Sequence, residues 1–328
     1  MKIGNLLPRQ LCIVFSLVMC ASIAGAASAQ GYPNKPIRII VPATPGSGND
    51  IVTRLFTPSL TDAMGQAFVV DNRAGAATNI GAEAVARAAP DGYTLLSASV
   101  ATTINQTLYK KLSFDVVRDF EPIALLASVP FVLVVHPSLP VRSIRELIAF
   151  VRARPGQLNF ASVGIGSFNH LTTELLKMRA GVDVFHVPYK GSPPALTDLI
   201  GGEVSMMFAN TLSVLPHVKA GRLRALAITG ARRSAAAPEL PTVAESGLPG
   251  FESGTWFALL APAGTPREIV TRLNAEATKA GQSPEIRERL AAQGAEPLGG
   301  TPAQAGAFIK SEIAKWGKVV VVSGARVE

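Results

Sequence analysis

Cysteine is almost missing from this chain of 328 residues: there are two, Cys12 and Cys20, both near the amino terminus. If that segment is removed on export, the remaining protein can hold no disulfide, no thiolate nucleophile and no cysteine metal site. Aromatic residues are sparse, at 6%. The net charge is +8, yet the densest basic groups are only Lys110-Lys111 and Arg232-Arg233. No basic run is interleaved with aromatic side chains, the pattern a nucleic-acid surface needs, so no nucleic-acid partner is expected. Long hydrophobic runs are missing too. The most apolar stretch, Leu11–Ala24, is about 14 residues, and a membrane-spanning helix needs roughly 20.

Catalytic patterns are equally scarce. No Gly-x-Ser-x-Gly elbow occurs. The histidines, His136, His170, His186 and His217, lack His-x-x-x-His spacing and have no carboxylate cluster nearby in sequence, so neither a zinc site nor any other metal is expected. No enzyme activity and no cofactor are expected from such a set.

What is present begins with a processing segment. Lys2 and Arg9 precede the apolar stretch, and Ala27-Ser28-Ala29 supplies the small-x-small pattern that signal peptidase reads. Residues 1–29 therefore read as a cleavable signal peptide and the protein as periplasmic. A lipid-anchored variant would need a small residue before Cys20, where Met19 stands. Roughly 300 residues remain, enough for one large domain or two lobes.

Strand and helix patterns alternate along this remainder, which argues an α/β fold with mostly parallel sheets. Ile37–Val41 reads as a buried strand, followed by a Pro/Gly loop and a helix marked by Val52, Leu55, Phe56, Leu60 and Met64. Pro58 should kink or divide that helix. Further strands fall at Phe68–Val70, Tyr93–Leu96, Leu158–Ser162, Val184–Val187, Val204–Phe208 and Leu223–Thr229. Helices fall at Ile80–Ala89, Arg142–Arg152 and Asn169–Ala180. The apolar run Ile123–Val135, broken by Pro130, reads as the passage from one lobe into a second, and Trp256–Leu260 as the return. The chain from Thr265 onward reads as mainly helical, with Thr265-Pro266 as cap and first helical residue. The expected division is 30–128 with 255–328 for the first lobe and 129–254 for the second.

One pattern occurs twice. A strand, a glycine loop and a helix appear at Ile37–Met64 and again at Leu158–Ala180. The loops are Pro45-Gly46-Ser47-Gly48-Asn49-Asp50 and Gly164-Ile165-Gly166-Ser167-Phe168-Asn169-His170. Glycine permits left-handed turns and close backbone approach. The unpaired N–H groups of the following helical turn, with the helix dipole, make a site for an anion. Ser47, Asn49, Ser167 and Asn169 can cap the helices or bond a ligand. Neither loop ends in the Gly-Lys-Ser/Thr of a nucleotide-triphosphate loop, and neither has the three-glycine dinucleotide fingerprint. One such loop is as readily a plain turn as a site. Two, one per lobe, point to a cleft with facing helix N-termini. His170 and Asp50 each have a plain alternative, His170 as a packed histidine and Asp50 as a helix-dipole partner.

Several ordered segments point further. They include Tyr32-Pro33 with Lys35-Pro36-Ile37-Arg38, the first glycine loop, Val69-Val70-Asp71-Asn72-Arg73-Ala74-Gly75-Ala76 and Pro90-Asp91-Gly92-Tyr93-Thr94-Leu95-Leu96. The second half adds the Gly164–His170 loop, His186-Val187-Pro188-Tyr189-Lys190-Gly191, Gly221–Ala227, Pro241-Thr242-Val243-Ala244-Glu245 and Trp256 through Pro262. With these, the chain resembles the substrate-binding receptors of tripartite tricarboxylate transporters, the Bug receptors, over nearly all its length after the leader.

The resemblance implies a type II periplasmic binding-protein fold, two α/β lobes joined by crossing hinge strands that close on a ligand. It implies capture of a small organic carboxylate for transporter subunits in the membrane; an orphan or sensory receptor for an amide or aromatic acid is the alternative. A monomer is expected, since hinge closure needs no partner. Carried over by position, the ligand-binding candidates of the first lobe are Ala43, Thr44, Gly46, Ser47, Gly48 and Asp50. Those of the second are Ser162, Gly164, Gly166, Ser167 and His170, with Thr102, Thr103, Lys190 and Ala209 bordering the cleft. Three positions depart from the family pattern. Ala43 stands where an aromatic residue is frequent, which enlarges the pocket. Ser47 replaces a frequent glycine. Ala209 stands where aspartate is common, which disfavours ligands bearing an ammonium group.

Overall fold

A computed structural model describes residues 31–234, 237–292 and 294–327. The expected leader at 1–29 lies outside the described residues. The chain starts as β1 (Ile37–Val41), α1 (Gly48–Met64), β2 (Phe68–Asn72), α2 (Asn79–Ala86), β3 (Thr94–Ser99) and α3 (Val100–Leu108). In β1 only Arg38 is exposed, as expected of a parallel strand covered on both faces. β1 lies between β2 and β3, parallel to both, with Ile37 opposite Phe68 and Ile39 opposite Leu95.

A strand of 16 residues, β4 (Phe120–Val135), then leaves this half of the sheet. The second half follows as α4 (Ile144–Arg152), β5 (Asn159–Ser162), α5 (Phe168–Ala180), β6 (Phe185–Pro188), α6 (Ser192–Gly201), β7 (Met206–Asn210), α7 (Thr211–Lys219) and β8 (Arg224–Ile228). The chain returns through β9 (Gly254–Pro262) and finishes with α8 (Arg267–Gln282), α9 (Pro284–Ala292), β10 (Glu296–Pro297) and α10 (Pro302–Ser323). The strands lie in the order β2-β1-β3-β9-β4-β7-β5-β6, with β8 and β10 also paired to β4.

β4 holds the halves together by changing partners midway. From Phe120 to Pro130 it runs antiparallel to β9, ending where Pro130 faces Gly254. From Phe131 it pairs with β7, and from Val132 with β8. Pro130 has no N–H to give a ladder, and it falls at the handover. The next residue takes up the new pairing: Phe131 N–H donates to Thr229 Oγ1 at 2.8 Å, and Thr229 N–H donates to the Phe131 carbonyl at 2.8 Å.

Two sequence expectations are corrected. Pro58 does not divide α1, which runs unbroken from Gly48 to Met64; the Thr57 hydroxyl donates to the Arg54 carbonyl at 3.2 Å, supplying the bond that the proline cannot. The last helical region opens one residue later than expected. Pro266 is the cap, and the Thr265 hydroxyl turns back to the Pro262 carbonyl at 2.8 Å. α3, α6 and α7 have no counterpart in the sequence reading, and all three begin at the cleft.

The core has three parts. One, with Ile39, Phe56, Leu60 and Leu259, fills the first half. Another, with Val132, Leu199, Met207 and Ile228, fills the second. The third runs across both, from Leu96 through Trp316 to Phe160 and Phe208. Its bridge is α10, capped by a reciprocal Thr301–Gln304 pair. Both tryptophans of the chain converge there: Trp256 of β9 and Trp316 of α10 each donate an indole N–H to Glu312 Oε2 at 2.9 Å. Lys315 pairs with the same buried carboxylate. Trp316, fully buried, presents its ring to Phe168, the first residue of α5, with centroids 5.1 Å apart. Burial of such rings stabilises by roughly 2–3 kcal/mol each.

Candidate functional site

The two glycine loops are built alike, residue for residue. In the first, Gly46 has φ +78° and Ser47 caps α1, its Oγ accepting from Asp50 N–H at 3.3 Å. In the second, Gly166 has φ +72° and Ser167 caps α5, accepting from His170 N–H at 3.4 Å. The third helical residue reaches back in both. Asp50 Oδ2 accepts Gly46 N–H at 2.8 Å, and His170 Nδ1 accepts Gly166 N–H at 3.1 Å. The asparagine after each first helical residue ties the helix to the sheet. Asn49 donates to the Ser97 carbonyl at 2.8 Å and Asn169 to the Phe208 carbonyl at 3.2 Å. A threonine one turn on closes on each asparagine's carbonyl, Thr53 at 2.7 Å and Thr173 at 3.0 Å.

This wiring leaves the first N–H groups of each helix, at Gly48 and Asn49 and at Phe168 and Asn169, without a carbonyl one turn back. Both sets border a cavity of about 370 Å³ between the halves. Three more helices begin there. Ser99, Val100 and Ala101 bring the start of α3, Ser192 that of α6, and Asn210 and Ser213 that of α7. Apart from Thr255 of β9, the rest of the lining is apolar: Phe131 and Phe257 from the crossing strands, Met207 and Ala209 from β7, Val163 and Leu196. Among the described residues, no Asp, Glu, Lys, Arg or His lines this cavity. A partly buried helix N-terminus stabilises an anion by up to about 2 kcal/mol, so several together can hold one without a countercharge.

Most of the predicted residues fall into three groups. Gly48 and Ala209 line the cavity. Ala43, Thr44, Gly46, Ser47, Ser162, Gly164, Gly166 and Ser167 form the loops behind the helix starts. Asp50 and His170 brace those loops. Asp50 is 4% exposed, and its other oxygen accepts from Arg54 Nε at 2.9 Å and Asn72 Nδ2 at 3.0 Å. Burial alone would raise its pKa, but the Gly46 N–H, Asn72 and Arg54 outweigh burial and hold it below the usual range. His170 stacks on His186 at 4.0 Å and 13°. Burial, then the neighbouring His186 and Lys177, lowers its pKa to about 4. Burial and Lys177 lower His186 likewise to about 4. His186 Nε2 lies 2.6 Å from Ser162 Oγ, which accepts Gly164 N–H at 3.1 Å, so the stacked pair fixes both ends of the second loop.

Thr102 and Thr103 are fully buried within α3: Thr102 Oγ1 accepts from Ser99 N–H at 3.3 Å, and Thr103 donates to the Val100 carbonyl at 2.7 Å. Lys190 is exposed on the turn before α6, outside the cavity's lining. The helix starts at Ser99–Ala101 and Ser192, and the phenylalanines of the crossing strands, escape a reading built on the glycine loops. The signals were Ser99 as a cap residue and Gly191-Ser192-Pro193-Pro194, with proline in a first helical turn. A larger groove, of about 800 Å³, lies between α8 and α10 and includes Phe120, Arg267 and Lys310. It draws nothing from the second half of the sheet, whereas the smaller cavity collects both halves at the carboxyl ends of parallel strands, where open α/β sheets bind ligands.

Two lobes, two crossing strands and a cavity ringed by helix starts define a solute-binding receptor of the periplasmic binding-protein fold. The model of the tripartite tricarboxylate transporter family receptor matches residues 52–324, and the chain belongs to that family. Protein BugT of Bordetella pertussis (strain Tohama I) is 42% identical over 322 residues, 98% of this chain and 99% of that one. Among solved structures, Rpa4515 of R. palustris with adipate is 40% identical, with a TM-score of 0.75 over 89% of this chain and 98% of its own. MatC (Rpa3494) of Rhodopseudomonas palustris with bound malate is 33% identical, with a TM-score of 0.71 over 88% and 100%.

Proposed function

We propose that the protein is an exported receptor, without catalytic activity, that captures a small organic carboxylate between its lobes and presents it to transporter subunits in the membrane. The lobes are residues 30–128 with 255–328, and 129–254; the change of partners at Pro130 and the start of β9 at Gly254 support that division. The leader at 1–29 directs export to the periplasm. The observation behind the ligand class is the convergence of helix N-termini from both halves on a cavity lined, among the described residues, by no charged side chain. Backbone N–H groups and dipoles favour an anion there, and no buried carboxylate lines the site to repel it. The adipate and malate in the related structures agree with this class.

The test is calorimetry of the purified protein against carboxylic acids and their matching primary amides. The acids are expected to bind and raise the unfolding temperature, by about 2.7 kcal/mol of stability at a hundredfold excess over Kd, and the amides are not. Equal binding of an acid and its amide would overturn the assignment.

A further inference from the structure

The cavity has two unlike walls. One is the ring of helix starts, polar through backbone N–H groups and the side chains of Asn49, Asn169 and Ser192. The other is Phe131, Phe168, Phe257, Met207, Leu196 and Val163. Three phenylalanines is a large share of a chain with 14. Each is held in place by its own packing. Phe131 meets Phe168 edge to face, centroids 4.8 Å apart at 62°, and Phe168 rests in turn on Trp316. Phe257 lies against the backbone of Gly48, where an added Cβ would sit 3.4 Å from its Cζ. Phe131 and Phe257 are 8% and 4% exposed, so these rings are fixed before a ligand arrives. Phe168 serves both walls: its N–H belongs to the start of α5 and its ring to the aromatic corner.

A hydroxyl or second carboxylate set against those three rings would lose water and find no hydrogen-bond partner in them. A flat ring suits it, since aromatic pairs favour the offset and edge-on approaches such a corner offers. Ala209 on β7 leaves space there and adds no charge.

Building on the carboxylate-receptor reading, we propose that the ligand is an aromatic carboxylate, its carboxylate on the helix starts and its ring among Phe131, Phe168 and Phe257. Hydroxylated and tricarboxylic acids are disfavoured by the same corner.

The test is calorimetry of the purified protein with benzoate, phenylacetate, benzamide, malate and citrate. At least one of the two aromatic acids is expected to bind roughly tenfold or more tighter than malate and citrate, and benzamide to lose most of the affinity of benzoate. Tighter binding of malate or citrate than of both aromatic acids overturns this inference while leaving the carboxylate reading intact. Benzamide binding as well as benzoate overturns the carboxylate reading itself. A Phe257→Leu variant, its fold checked by circular dichroism, is expected to weaken the preferred aromatic acid at least fivefold more than malate. An equal effect on both ligands would also contradict the proposal, and the wild-type comparison stands even if that variant does not fold.

Discussion

The two glycine loops share one backbone design and use opposite chemistry to hold it. Glycine, cap serine, asparagine clamp and threonine recur in the same order, yet the residue that reaches back to the glycine N–H differs. The first loop uses an ionised carboxylate, Asp50, braced by Arg54 and Asn72. The second uses a neutral ring, His170, stacked on His186 and Phe160. Both solutions leave the helix start free for a ligand. The backbone needs only an acceptor of the right reach, and each lobe provides it in a form its surroundings tolerate. A charge is tenable beside the half-exposed Arg54; between aromatic rings only a neutral acceptor is.

The largest expected effect comes from removing the charged brace. Asp50→Ala leaves the Gly46 N–H without its acceptor and Asn72 with only the Ala43 carbonyl, and should cost about 3 kcal/mol, read as a lowered urea midpoint. Asp50→Asn, which keeps an acceptor, should recover more than half of that. If Ala and Asn cost the same, the first loop is not held by this bond.

Acid separates the loops next. The unfolded chain binds protons at His170 and His186 near pH 6.5, while the folded chain resists until about 4. Stability is therefore full above about 6.5 and declines as pH falls towards 4. We expect a loss of about 2–3 kcal/mol across that window, counting the half-buried His186 at a discount. Asp50, with a depressed pKa, contributes stability above the ordinary carboxylate range and loses it only in stronger acid. Amide exchange followed against pH should thus open the second loop before the first; simultaneous opening would refute the distinction.

The second loop also leans on α10, through Phe168 and Trp316. Glu312→Leu strips the acceptor from two buried indole N–H groups and should cost about 2 kcal/mol. It should shift tryptophan emission, because both tryptophans of the chain meet at Glu312. Exchange at Leu171, whose N–H bonds to the Ser167 carbonyl, should quicken more than at Ile51, whose N–H bonds to the Ser47 carbonyl, and the reverse order would separate α10 from the second loop. The smallest effects are at the glycines. Gly46→Ala meets open space and only the left-handed φ penalty, about 1 kcal/mol, whereas an added Cβ at Gly166 also lies 2.8 Å from Leu108. Gly166→Ala should therefore cost about 1 kcal/mol more, measured by thermal unfolding, and equal costs would mean that Leu108 moves aside freely.

The repeated strand, glycine loop and helix were legible in the sequence because a short apolar run, a Gly/Ser turn and helical spacing follow one another locally. The crossing strand was legible from an apolar run too long for an ordinary strand, with Pro130 marking the handover. α3 was hidden by its Thr-rich start, α6 by consecutive prolines and α7 by an internal Pro216. The braces were hidden for another reason: Asp50 meets Asn72, His170 meets His186 and Trp256 meets Glu312 across 22, 16 and 56 positions of chain. Asp50 and His170 were therefore legible as residues of the site, but their work behind it depends on partners that only the fold brings near.

In the proposed complex, backbone N–H groups of both loops hold the ligand's carboxylate. Amide nuclear magnetic resonance during titration with a carboxylate that binds tests this most directly. The largest shifts are expected at Gly48, Asn49, Phe168 and Asn169 together, with one dependence on ligand concentration. Shifts confined to one loop, or centred on the groove between α8 and α10, would contradict it.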